Sequence, residues 1–329
     1  MGKLRVKYLI IAVVFVLLGI LGGVVAYLEK DTVVFAAFQH GSGTEQDPYR
    51  IYNDNQLYNL QEISSSSLAK ERTKDKYFKL MKNVKGTYRT KKNSYGFYGT
   101  LDGNGYSVTL ENYPLFYVLK ENSSVINLTV NKTAETTLET DVYSLTYYVN
   151  NGSVVDNCVF NSDITILIPS YNSPQNLSCT ACCKYNNGTI KNSKFIFNVD
   201  MKYASEEKHG RLAKVFISAV AYSGNSNGII EECVINGNYS TISATLGTFR
   251  IAGIALEKNA VNHCEFNGNI NVTYRSARTS SYLVYGITSD IATDCTFNGN
   301  ITMNFTPHKY GMAGEGSTVT HNGEIVITQ

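Results

Sequence analysis

From about residue 78 to the C-terminus, apolar and polar residues alternate in short runs, and the runs recur. "ECVINGNYST" (232–241), "HCEFNGNINV" (263–272) and "DCTFNGNITM" (294–303) place a cysteine, an apolar residue and an Asn-Gly-Asn triplet at the same offsets. Pairs such as Cys264-x-Phe266 and Ile270-x-Val272 keep a period of two, the mark of a strand with one buried face. No stretch of these units repeats apolar residues at helical spacing over ten or more positions. Aligned on one slot, the residues are Leu128, Cys158, Ser193, Cys233, Cys264 and Cys295, at intervals of 30, 35, 40, 31 and 31. Such a period predicts units that bury their apolar faces only by stacking on one another.

Stacked in register, equivalent residues lie about 4.8 Å apart, so repeated letters become columns. Cys, Phe and Ile point inward, and Asn161, Asn236, Asn267, Asn298 and Asn322 form an amide ladder at a corner. The unit near 190 puts Ser193 in the cysteine slot and moves its amide to Asn198, which interrupts both columns. Asn-Gly is expected to supply the positive φ of that corner. The predicted fold is all-β, a right-handed parallel β-helix solenoid.

The front of the chain differs. Lys3, Arg5 and Lys7 precede an uncharged run of 21 residues, Tyr8 to Leu28, long enough for a signal-anchor helix with its basic end inside. Ala26 and Ala36, with Val24 and Val34 two residues before them, offer sites for signal cleavage instead. Both outcomes put the remainder outside the cytoplasm, either held to the membrane by this helix or secreted. The organisation read from the sequence is therefore 1–28 signal or anchor helix, 29–40 juxtamembrane linker, 41–77 entry strand and capping helix, and 78–329 β-helix repeats. Leu57, Leu60 and Ile63 at helical spacing predict a short helix that shields the first open sheet edge.

The motifs "NNGTIKNSKF", "NNGSVVDNCVF" and "FNGNI" resemble the degenerate GLUG-type repeat of exported bacterial surface proteins. "GSGTEQDPYRIYNDNQLYNLQEIS" (41–64) and "YGFYGTLDGNGYSVTL" (95–110) resemble the entry segment and first coil of such β-helices. The resemblance covers about residues 41–328 and implies fold and export. Most units lack the family's leading Gly-Leu-x-Gly.

Composition narrows the function. A net charge of +2, with 17% charged residues, lacks the concentrated basic face of a nucleic-acid binder. Four of the seven cysteines fall in or near one inward column, which predicts a thiol ladder rather than bridges. Cys179, Cys182 and Cys183 leave two further readings open, a local disulfide or half of a zinc site that finds no second ligand pair in the chain. No cofactor is expected. The aspartates Asp156, Asp163, Asp200 and Asp294 sit in different slots, and none of the motifs of polysaccharide-cleaving β-helices occurs.

A non-catalytic scaffold for adhesion, or for a glycan or surface-protein ligand, is the expected function. Its alternatives are a polysaccharide lyase or hydrolase, and a structural subunit of an envelope assembly. The candidate binding surface comprises Tyr143, Tyr147, Tyr148, Tyr171, Tyr185 and Tyr203, amphipathic rings crowded in the middle units, with His209 and Arg211 from the 202–217 insertion. The uncapped end "GEIVITQ" is an edge through which copies could associate.

Overall fold

The computed structural model describes residues 38, 40–87, 95–111, 113–136, 141–205, 210–224, 228–243, 245–274 and 281–328. The apolar run Tyr8–Leu28, nearly all of the expected linker, and His209 lie outside these residues. Among the described residues no helix is long and apolar enough to cross a membrane.

The described chain is almost entirely β, in four sheets of nine, thirteen, five and four strands. Every strand pairing among the described residues is parallel. The nine-stranded sheet takes one short strand from each successive unit, running from Tyr49–Ile51 through Val155 and Ile190 to Ala292–Thr293. Parallel stacking thus begins at Tyr49, inside the entry segment, in register with Phe78. Between the sheets lies one core that extends from Phe38 to Met303.

Registers match the predicted columns. Phe160, Phe195, Ile235, Phe266, Phe297 and His321 occupy one inward column. Its rings stack at 4.9 Å (Phe160–Phe195) and 5.2 Å (Phe266–Phe297), each contact worth about 1 kcal/mol beyond burial. Asn322, Asn298 and Asn267 each donate their amide to the Oδ1 of the preceding asparagine, at 2.8, 2.8 and 3.1 Å. Asn161 pairs backwards with Asn131 at 2.8 Å, because Ile196 occupies the slot between it and Asn236. Asn267→Ala removes two ladder bonds and is expected to cost about 1–2 kcal/mol, whereas Asn322→Ala removes one at an exposed end and costs less. Urea unfolding midpoints of the two variants measure this order.

One expectation is corrected. Among the Asn-Gly-Asn triplets only Gly268 has a positive φ, +152°; the left-handed corner that recurs lies just before the cysteine slot, at Asn127, Asn157, Asn192, Glu232, His263 and Asp294, all with φ between 49° and 53°. Side-chain amides bridge part of that column, Asn157 to Asn127 at 2.8 Å and Asn192 to Asp156 at 2.8 Å. The glycine of Asn-Gly-Asn serves a different need, close approach of backbones. An ideal Cβ on Gly268 would lie 1.7 Å from the carbonyl oxygen of Gly237.

At the N-terminal end, Asn53 caps the helix Asp54–Ser64 by accepting the Gln56 N–H at 3.0 Å. Leu57, Leu60 and Ile63 are buried in the common core, and Gln61 Nε2 donates to the Leu115 carbonyl at 3.0 Å. A second short helix, Ala69–Thr73, was not legible in the pattern. At the other end the inward residues of the last unit, Val319, His321, Ile325 and Ile327, are only half buried.

Candidate functional site

In the four-stranded sheet, Thr146–Val149, Cys183–Asn186 and Ala221–Gly224 share one burial pattern: in, out, out, in. A regular strand sends adjacent residues to opposite faces. Here the chain bends at the same place in three units, so both middle residues point away from the core. Thr146 fastens its bend by donating Oγ1 to the carbonyls of Tyr117 and Tyr148, at 3.0 and 3.1 Å.

The doubled outward positions hold Tyr147 and Tyr148, then Lys184 and Tyr185, then Tyr222 and Ser223. Tyr117 joins at the edge. Tyr117 stacks on Tyr147 (centroids 5.0 Å, 19°) and Tyr148 on Tyr185 (5.0 Å, 18°). Tyr147 meets Tyr148 and Tyr185 edge-on at 4.6 and 5.3 Å, and Tyr185 passes the strip on to Tyr222 at 6.0 Å. Tyr222 in turn lies 4.4 Å from Phe216 in the neighbouring sheet. The Lys184 ammonium sits 5.3 and 5.6 Å from the centroids of Tyr147 and Tyr185 and is paired with Asp141 at 2.5 Å. Arg250 packs against Phe216 and is ion-paired with Glu257. Burial raises the pKa of Tyr117, Tyr147, Tyr148 and Tyr222 above the usual phenol value, and the neighbouring tyrosines raise the first three further. These phenols therefore stay protonated at neutral pH.

Of the residues expected at the binding surface, Tyr147, Tyr148 and Tyr185 come together here. Tyr143 touches Tyr147 at 5.5 Å, but it is 7% exposed and belongs to the wall beneath the surface. Its position is a correction: packed against Tyr147 and almost without exposure, the ring has little surface to offer a ligand. Tyr171, 65% exposed, and Arg211 lie at a separate loop contact, where Ser173 N donates to the Arg211 carbonyl at 2.7 Å. Tyr203, opposite Ile168 at the end of a long strand pair, packs half-buried against the core. Sequence reasoning missed Tyr117 and Tyr222, although both could have been found one unit before Tyr147 and one unit after Lys184 in the same column.

A second feature departs from expectation. Asp163 and Asp200 line one shallow groove of about 410 Å³ with Thr165, Asn198, Asn238 and Ser240, because strand register places Asp200 opposite Thr165, two residues beyond Asp163. Another groove, of about 520 Å³, follows the corner past Lys79, Asp102, Asn104, Asn127 and Asn157, with Lys79 and Asp102 paired at 3.2 Å. Among the described residues no three His, Cys, Asp or Glu side chains gather as a metal site.

All seven cysteines are free and buried, those of "CTACC" included. The expected ladder is present: Cys233 N–H faces Cys264 Sγ at 3.4 Å, and Cys264 N–H faces Cys295 Sγ at 3.5 Å. Ser193 substitutes in its slot by accepting the Cys158 N–H at 3.1 Å. Burial pushes the Cys158 thiol up to about 12 and Cys179 higher still. Such thiols are poor nucleophiles. A water-soluble alkylating reagent should leave the native protein unmodified. Unfolding without reductant should then release seven reactive thiols, and a smaller number would mean bridged cysteines.

The fold defines a class, an all-β protein built of stacked parallel sheets. Comparison with known proteins adds a likeness of fold. No family model matches the chain, and no curated protein matches it. One solved structure does, a protein from Bacteroides ovatus provisionally described as an immunoglobulin A1 protease. It is 16% identical, with a TM-score of 0.53 over 88% of this chain and 87% of that one.

Proposed function

We propose that the chain is an exported right-handed parallel β-helix, a degenerate relative of the GLUG-type surface proteins, acting outside the cytoplasm as a non-catalytic binding scaffold. The winding is supported by strand orders that advance unit by unit with parallel pairing, the thirteen-stranded sheet taking two strands from each of the last four units. Export is supported by the basic residues and apolar run at the N-terminus. The observation that carries the binding function is the tyrosine strip. Protein surfaces that place several aromatic side chains side by side, half-exposed and with polar tips, are suited to glycan or protein ligands.

Binding of the full-length chain to a glycan array, with and without Tyr148→Ala/Tyr185→Ala, tests this. Specific binding that the double variant abolishes supports the scaffold, and silence across the array removes its glycan form. A second reading, polysaccharide cleavage, draws on the Asp163–Asp200 groove. New reducing or unsaturated ends, lost in Asp163→Asn/Asp200→Asn, would establish it in place of the first.

A further inference from the structure

We infer that the ligand of the tyrosine strip is an uncharged, extended polysaccharide that is hydrogen-bonded by phenol hydroxyls rather than stacked on ring faces. This rests on the binding reading above and names its substrate class. Three features of the strip lead to it.

The first is which parts of the rings remain free. Tyr117 covers a face of Tyr147, and Tyr148 and Tyr185 cover each other, in both pairs within 20° of parallel. Lys184 lies over Tyr147 and Tyr185. The faces that a sugar's C–H bonds or an apolar peptide would use are therefore largely spent within the strip. Edges and hydroxyls are left for the solvent side.

The second is charge. Among the described residues, the two cations that touch the strip are answered, Lys184 by Asp141 and Arg250 by Glu257, and the side chains of the Lys184–Asp141 pair are only 12% and 19% exposed. An acidic glycan or a nucleic acid needs unpaired cations to offset its own charge. Burial also holds the phenols of Tyr117, Tyr147, Tyr148 and Tyr222 in the protonated, uncharged form; Tyr147 and Tyr185 already share a hydrogen bond, and the remaining hydroxyl donors and acceptors are what the strip offers a ligand. A polyhydroxylated, neutral ligand matches that inventory.

The third is direction. Tyr117, Tyr147, Lys184 and Tyr222 follow one another across four parallel strands, and Tyr148 and Tyr185 form the adjacent column. Three strand spacings make a row roughly 14–15 Å long, the length of a short oligosaccharide laid along the stack. A regular polymer meets a row of polar tips, three phenols and the paired Lys184, better than a compact ligand does.

Native affinity electrophoresis of the full-length chain in mild detergent tests this. The gels contain either neutral polysaccharides (a mixed-linkage glucan, a galactomannan, a dextran) or acidic ones (polygalacturonate, heparin). Retardation by at least one neutral polymer is expected, unchanged between low and high salt. Tyr148→Phe/Tyr185→Phe, which keeps both rings and the fold, should weaken it about tenfold or more, since each lost hydrogen bond is worth about a factor of five. Retardation by acidic polymers alone, falling with salt, would overturn the inference while leaving a glycan-binding scaffold. Retardation by a neutral polymer that the Phe variant leaves intact would overturn the hydroxyl mode. Retardation by none of them would remove the glycan reading and this inference together.

Discussion

Gly268→Ala should cost about 3 kcal/mol or more, or prevent folding altogether, although it adds a single methyl group to a surface corner. The glycines Gly237, Gly268, Gly299 and Gly323 each follow a ladder asparagine in their unit. An ideal Cβ on Gly268 would sit 1.7 Å from the Gly237 carbonyl oxygen and 2.7 Å from its carbon. A Cβ on Gly299 would meet the Gly268 oxygen at the same 1.7 Å. These are backbone atoms tied into the ladder, with Gly237 N–H bonded to the Asn267 carbonyl and Gly268 N–H to that of Asn298, both at 3.0 Å. No side chain can swing away to make room. Gly268 also has φ +152°, where L-residues are strained.

Gly105→Ala is the control. That glycine has φ +77° but nothing within 4 Å of an added Cβ, so the strain term acts alone and the expected cost is about 1 kcal/mol. Urea midpoints of the two variants separate the contributions. If Gly268→Ala proves no worse than Gly105→Ala, close backbone approach is not what the repeated glycine provides.

The same corner shows how far sequence reading reached. Period-two alternation and a fixed interval were enough for the columns, because a parallel stack turns each repeated letter into a neighbour of itself. The break at Ser193 and Asn198 was legible for that reason. The role of Asn-Gly was misread because turn propensity is a local argument. The conformation here is set by the preceding unit, about 31 residues back for Gly268 and Gly299, whose carbonyl comes within reach of the glycine. The in-out-out-in bend that makes the tyrosine strip was likewise hidden. Alternation predicts that one of Tyr147 and Tyr148 points inward, and only the bend, repeated in three strands, brings both out. Crowding of tyrosines in the sequence pointed to Tyr147, Tyr148 and Tyr185, which the fold brings side by side. It could not tell them from Tyr143, which is buried a few residues earlier, or from Tyr171, which stands exposed on a separate loop.

Lys132 was legible by parity and passed over. It lies two residues beyond the buried Val130, so alternation alone sends it inward, in a column with Leu110, Ser162 and Phe197. It is 4% exposed, and its ammonium donates to the Tyr143 carbonyl at a long 3.4 Å. Burial lowers its pKa from 10.5 to about 8. Below pH 8 the lysine is charged both folded and unfolded, and the folded state carries the whole desolvation penalty, about 3 kcal/mol for that gap. Between pH 8 and 10.5 the folded amine is already neutral while the unfolded one still binds a proton. The wild-type protein therefore gains stability as pH rises through this window.

Lys132→Met keeps the length of the side chain and removes the charge. It leaves the Tyr143 carbonyl without this donor, at about 1 kcal/mol, so a net stabilisation of about 2 kcal/mol is expected at pH 7. That advantage should shrink by about 1 kcal/mol on going to pH 9. The buried thiols act in the opposite sense: with Cys158 raised from 9 to about 12, their contribution is complete below pH 9 and declines above it. The thiols that do not face Lys132 cancel in the difference, and Cys179, which does face it, is raised far enough by burial to stay protonated in the folded protein at both pH values. Denaturation midpoints of the two chains at pH 7 and pH 9 decide the matter. A destabilised Met variant, or a difference that ignores pH, would mean that the amine is held by partners strong enough to offset its burial.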